Sequence, residues 1–171
     1  MKTAIIGTGP TGLYTFQALL RAGGPRHIVL FEAGAQIGIG MPWSAETTSA
    51  SMLANIASIE IPDLPERYID WLKRQPETVL RPFSVDPATV DERDFTPRLL
   101  IGQYFADQMQ QLITIAQAEG VTVDTFETCR VTDIIPAAQG YTLETDRAGT
   151  QSGFRHVVLA TGHKFERDDD L

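Results

Sequence analysis

The sequence predicts an α/β fold: a parallel sheet, an antiparallel meander added to it, and a helical insertion in the middle of the chain. Three observations carry that prediction. A short apolar run, Ala4 to Ile6, enters a turn with glycines at 7, 9 and 12, and a helical pattern (Leu13, Phe16, Leu19, Leu20) follows. A second apolar run, residues 28–31, ends in Glu32. Late in the chain, short strand-like runs with period-two alternation lead to a final apolar run that closes in Ala160-Thr161-Gly162.

The opening unit reads as strand, glycine turn, helix, strand, acid, which is the Rossmann-like arrangement for holding a dinucleotide. Each part has a physical task. Gly7 lets the chain leave the strand in a tight turn, Gly9 presents no side chain to an approaching pyrophosphate, and Gly12 lets helix and strand pack closely. Pro10 and Thr11 complete the turn and open the helix, whose free N–H groups and positive dipole end face the phosphates. Glu32 follows Gly12 by about 20 residues, where its carboxylate can accept hydrogen bonds from ribose hydroxyls and repel a 2′-phosphate. The dinucleotide is therefore expected to be FAD or NAD rather than NADP. A glycine-rich turn in an ordinary α/β protein is the alternative, and it leaves the placement of Glu32 to accident.

Length and charge set the wider limits. A chain of 171 residues suits one domain with a core of its own. The net charge of −8, with no basic cluster, argues against nucleic acid or an anionic membrane as partner. No apolar stretch is long enough to span a bilayer, and the glycines at 7, 9 and 12 break what might resemble a signal peptide. Cys129 is the single cysteine, so no disulfide can form within the chain and a cytoplasmic setting is expected.

After Glu32, the run from Ala33 to Trp43 holds Gly34, Gly38, Gly40 and Pro42 and is expected to form an irregular loop on the cofactor side, with backbone at Gly38 and Gly40 lying against the ligand. Trp43 either walls a flavin ring or anchors packing. Pro65 is expected to open a short helix through Tyr68, Ile69 and Leu72. Residues 76–95, with Pro76, Pro82 and Pro87 and acids at 86, 91, 92 and 94, read as a surface loop excursion or lid. Thr96 is a predicted N-cap and Pro97 the first position of a helix over 97–119 that stops at Gly120. Arg98 in its first turn is disfavoured by the dipole unless an anion, a phosphate or Asp94, lies near. Gly102 implies close approach of another backbone or of the cofactor. Strands are predicted over 121–126, 130–135, 141–145 and 156–163, the last of them buried, with 146–153 as a turn-rich link and 164–171 as a solvated acidic tail.

Taken together, the Gly-Thr-Gly-Pro-Thr-Gly turn, Glu32, the glycines at 38 and 40, the meander around Val131 and Ala160-Thr161-Gly162 resemble the FAD domain of flavoproteins with two dinucleotide domains. Residues 52–56 (Met-Leu-Ala-Asn-Ile), the helix at 68–72 and Phe95-Thr96-Pro97-Arg98 leading to Gly102-Gln103-Tyr104-Phe105 are similar to the FAD-NAD(P)-binding family of bacterial flavoproteins related to flavin monooxygenases. The resemblance runs from Met1 to His163. It implies an FAD/NAD(P)-binding domain over 1–163, with 41–96 as an insertion within it. It also implies that Val131 meets the adenine through its backbone and that the Ala-Thr-Gly turn returns the chain to the cofactor. The cofactor-binding residues expected are Gly7, Gly9, Pro10, Thr11, Gly12, Glu32, Ala33, Gly40, Trp43, Arg98, Val131, Ala160, Thr161 and Gly162.

Larger flavoproteins of this kind carry a second glycine-rich turn for the nicotinamide nucleotide, and no second GxGxxG occurs here. The chain is thus expected to be the N-terminal part of a longer monooxygenase-like oxidoreductase, or a small protein that borrows its missing half from a second chain. NAD(P)H would be a co-substrate whose site lies elsewhere. A non-catalytic dinucleotide- or partner-binding module and a lone NAD-binding Rossmann domain are the alternatives. No catalytic acid, base or metal-ligand cluster is assigned. His163, just after the Ala-Thr-Gly turn, either meets flavin or substrate or is an exposed strand-end histidine.

Overall fold

The apolar runs at 4–6 and 28–31 become two neighbouring interior strands of a six-stranded sheet in the computed structural model, which describes residues 1–162. In chain order the strands are β1 (Lys2–Ile6), β2 (His27–Phe31), β3 (Thr122–Phe126), β4 (Val131–Ala137), β5 (Gly140–Thr145) and β6 (Gln151–Leu159). They lie across the sheet as β3-β2-β1-β6-β5-β4. The first four in that order are parallel, with Ala4 opposite both Val29 and Val157, and β5 and β4 continue antiparallel from β6.

Alternation along β1 and β2 divides their side chains between two cores. Ile5, Ile28 and Leu30 face helix α1 (Pro10–Arg21) through Leu13 and Phe16, and helix α4 (Arg98–Ala118) through Leu100, Tyr104 and Met109. Ala4, Ile6, Val29 and Phe31 face the meander side, where Leu143 and Phe154 join them. There Phe31 stacks on Phe126 at 5.1 Å and meets Phe154 edge-on at 6.1 Å.

The insertion is tied into the first core. Helix α2 (Tyr68–Arg74) buries Tyr68, Ile69, Trp71 and Leu72 against α4, and Tyr104 donates a hydrogen bond from its hydroxyl to the Glu66 carbonyl at 2.6 Å. The 76–95 stretch, expected as an open excursion, instead holds helix α3 (Glu77–Leu80) and a 3₁₀ turn (Arg81–Phe83). Leu80 and Val90 are buried in the same core as Trp71. Apolar anchors at those two positions outweigh the prolines and acids around them.

Two further expectations change. Thr96 does not cap α4. Its hydroxyl lies 2.7 Å from that of Tyr68, its carbonyl accepts the Ala54 N–H at 2.8 Å, and Pro97 occupies the N-cap position. The last strand begins at Gln151, so the link before it is shorter than predicted, and it is not buried: Leu159 is 65% exposed. Leu159 pairs with Ile6 at the carboxyl end of the sheet, where no described element covers it. His163 and the 164–171 tail lie outside the described residues. Among the described residues, no helix is long and apolar enough to cross a membrane.

Burial raises the pKa of three tyrosines in this helical layer. Tyr14 is pushed up to about 12, with the charge of Asp63 adding to burial, and Tyr68 and Tyr104 are raised further by burial. A tyrosine raised in the fold keeps its proton where the unfolded chain has lost it. The stability is therefore fully present below about pH 10 and falls as pH rises from there through the folded values. The urea midpoint is expected to drop steadily above about pH 10, and Tyr68→Phe should flatten that slope. A midpoint unchanged up to about pH 11 would contradict the burial assigned to these hydroxyls.

Candidate dinucleotide site

The site is built where β1 ends and α1 begins. Gly7 has φ +89°, and a Cβ placed on it would lie 2.3 Å from the Ala160 carbonyl oxygen, so only glycine lets the turn cross under the end of β6. A Cβ on Gly12 would lie 2.1 Å from the Gly7 carbonyl oxygen, so Gly12 serves the close seating of α1 on the turn, as expected. Gly9 carries a constraint the sequence does not reveal. A Cβ there would lie 2.9 Å from the Cα of Gly40, so the turn and the loop after β2 touch backbone to backbone.

The amino end of α1 is left open. Gly9 is its N-cap, no side chain caps it, and no acidic residue stands in its first turn. The amides of Thr11 and Gly12 have no carbonyl one turn back within the helix, and Pro10 has no N–H to satisfy. Those groups, with the helix dipole, suit an anion supplied from outside.

Around this point lie three adjoining hollows. One of about 310 Å³ is lined by Gly7, Gly9, Pro10, Thr11, Glu32, Gly40, Met41, Pro42, Ala160, Thr161 and Gly162. A smaller one of about 120 Å³ runs toward the meander and is lined by Ile6, Gly7, Phe31, Glu32, Ala33, Cys129, Arg130, Val131 and Thr161. A third, about 350 Å³, lies between Glu32, Gly40 and Met41 and the 44–47 turn. Gly7, Glu32 and Thr161 border both of the first two, so a trough runs from the helix end past Glu32 to Val131. A wider surface hollow of about 710 Å³ beside α2 is a poorer candidate, because its guanidinium groups are already paired, Arg74 with Glu66 and Arg67 with Asp70.

Glu32 is held where the trough bends. Its Oε2 accepts the Thr8 amide at 3.1 Å and the Thr8 hydroxyl at 2.6 Å, and its Oε1 accepts the Gly34 amide at 2.8 Å. An ionised carboxylate offers about four acceptor positions, so capacity remains on Oε1.

Eleven of the fourteen residues expected from the sequence line this trough. Gly12 supports it from beneath. Trp43 and Arg98 do not line it: the Trp43 ring meets Phe105 edge-on at 6.0 Å, and the Arg98 guanidinium lies 6.0 Å from the Trp43 ring centre and donates to the Leu53 carbonyl at 3.3 Å. Arg98 makes no ion pair with Asp94, whose carboxylate accepts the Asp91 amide instead. Gly102 is required by Trp43 itself, since a Cβ on it would lie 2.4 Å from the Trp43 carbonyl oxygen. Gly38, expected against the ligand, packs on α4, where a Cβ would lie 2.7 Å from the Ala106 Cα. The loop is therefore clamped to α4 at Gly38 and at Trp43, and Gly40 between them reaches the trough. Met41, Pro42, Cys129, Arg130 and the wholly buried Thr8 were missed. Their sequence neighbours, Gly40 and Val131, were the available signal for all but Thr8.

The residues fit a dinucleotide: an open helix end for a pyrophosphate, an acid for a ribose, and a glycine cradle that a Cβ would fill. Comparison with known proteins agrees. A family model described as FAD-NAD(P)-binding matches residues 4–164. The Escherichia coli (strain K12) protein YdhS is 40% identical over 169 residues, 99% of this chain, and the chain spans 32% of its length. Among solved structures, bacillithiol disulfide reductase Bdr from Staphylococcus aureus superposes with a TM-score of 0.60 at 14% identity, over 95% of this chain and 38% of its own. A flavin-containing monooxygenase from Stenotrophomonas maltophilia gives 0.60 at 20% identity, over 94% and 38%. Thioredoxin reductase from T. acidophilum gives 0.56 at 13%, over 96% and 36%. At those identities the structures establish a shared fold, and the family match establishes membership: this chain belongs to the FAD-NAD(P)-binding family.

Proposed function

We propose that this chain is the FAD-binding module of a longer, monooxygenase-like oxidoreductase, with NAD(P)H as co-substrate bound outside it. The observation that carries the reading is the uncapped amino end of α1, opening beside Glu32 into a trough that reaches Val131. In this reading the amides of Thr11 and Gly12 hold the pyrophosphate, Glu32 accepts from the ribose, and Ala33 and Val131 flank the adenine. Ala160, Thr161 and Gly162 close the trough on the other side. Bound flavin would supply hydride acceptance and onward electron transfer. The chain's own residues bind and orient it. Trp43 and Arg98, which do not line the trough, have no part in holding the phosphates in this reading; the Arg98 guanidinium lies 6.0 Å from the Trp43 ring centre. The chain spans about a third of the relatives it matches, which supports a module that depends on further polypeptide for the nicotinamide site. A cytoplasmic setting suits the free, buried thiol of Cys129.

Titration with FAD, followed by absorbance and calorimetry, tests the reading. Saturable uptake of FAD in preference to NADP is expected, with no NAD(P)H oxidation by this chain alone. Binding of NAD but not FAD would favour a lone nicotinamide-nucleotide domain, and binding of neither would sink the proposal.

A further inference from the structure

We infer that Thr8 is a specificity-determining residue of the dinucleotide site, locking the Glu32 carboxylate in the position that shuts out a 2′-phosphate. The inference rests on the dinucleotide reading above and adds a residue to it.

The hydrogen-bond directions are fixed. The Gly38 amide can only donate, and it lies 3.1 Å from the Thr8 hydroxyl oxygen, so that oxygen accepts there. The hydroxyl proton is then left for Glu32 Oε2 at 2.6 Å, a length typical of a bond to a charged acceptor. The Thr8 amide adds a second bond to the same oxygen, and the Gly34 amide holds the other. Thr8 is completely buried, so water does not compete for its hydroxyl. One side chain thereby links the glycine turn, the acid and the loop that Gly38 anchors to α4.

This matters because an exposed arginine also borders the trough. Arg130 lines the small hollow that Glu32 borders, and an arginine near the ribose is what lets a dinucleotide site accept a 2′-phosphate. A glutamate free to swing aside would leave that arginine to the phosphate. A glutamate pinned at three points stays in place, presents its remaining acceptor capacity to a hydroxyl, and repels the phosphate. The choice of 2′-hydroxyl over 2′-phosphate thus depends on what holds Glu32 as well as on its presence.

The test compares ADP-ribose with its 2′-phosphorylated counterpart by calorimetry on the full 171-residue chain and its variants. Thr8→Val keeps the shape and removes the hydroxyl. The preference for ADP-ribose is expected to fall about tenfold, the scale of one lost hydrogen bond to a charged group. Thr8→Ser, which restores the hydroxyl, should restore the preference. A general loss of stability would weaken both ligands alike and leave their ratio unchanged, so the ratio separates specificity from structure. If Thr8→Val does not fold, Thr8→Cys, a weaker donor, should lower the ratio by a smaller factor. A discriminating parent whose Val or Cys variant keeps the full ratio overturns this inference alone. A parent that binds neither ligand overturns it together with the dinucleotide reading.

Discussion

Replacing Gly9 with valine is expected to weaken dinucleotide binding by at least ~100-fold, about 2.7 kcal/mol. Two effects combine. The new Cβ would stand 2.9 Å from the Gly40 Cα, so either the turn or the 33–43 loop must move, and overpacking of this kind costs about 1–3 kcal/mol. The branched methyl groups would also stand at the end of the trough, where phosphate oxygens approach the first-turn amides, and each lost bond to a charged group costs about 1.5–3 kcal/mol. Calorimetry with FAD measures the loss. Circular dichroism should show the helices intact, since the clash falls at a backbone contact outside the core. Unchanged affinity would mean that the pyrophosphate lies elsewhere.

Trp71→Ala should be the most damaging change to stability, at about 3–5 kcal/mol. Trp71 is 1% exposed and packs against Tyr68 at 6.0 Å and Tyr104 at 5.9 Å, while its indole N–H donates to the Asp107 carboxylate at 2.7 Å. Truncation leaves a cavity and removes that carboxylate's partner. Against a total of about 5–15 kcal/mol for a domain, the loss would bring many molecules near unfolding. Trp71→Phe, which keeps most of the packing, should cost about 1–2 kcal/mol. Urea unfolding distinguishes the two. A loss below about 1 kcal/mol for the alanine variant would mean that the insertion adds little to the core.

How far the chain could be read from its residues alone follows from the range of the forces involved. The β1–α1–β2 unit was legible because its determinants are local: glycines at fixed offsets, apolar periodicity and one acid at a set distance. The Ala160–Gly162 turn and Val131 were legible only through resemblance, since their position beside Gly7 depends on strand order that no local pattern encodes. Residues 76–95 were misread because prolines and acids are visible locally, whereas the burial of Leu80 and Val90 is a tertiary fact. Thr96 has the residue type of an N-cap, but Tyr68, 28 positions away, engages its hydroxyl. Gly38 was read as lying against the ligand and Gly102 as a close-approach position with another backbone or the cofactor; their partners turned out to be α4 and Trp43. Thr8 was passed over because a threonine in a glycine turn carries no signal until Glu32 and Gly38 are brought to it.

The most direct measurement is the backbone ¹H–¹⁵N spectrum during FAD titration. If the pyrophosphate rests on the amino end of α1 and Glu32 holds the ribose, the largest shifts will fall on the amides of Gly9, Thr11, Gly12, Ala33, Gly40 and Thr161, with smaller ones at Val131. Saturable shifts centred instead on the hollow beside Glu66 and Arg74, with Gly9 to Gly12 unmoved, would contradict it.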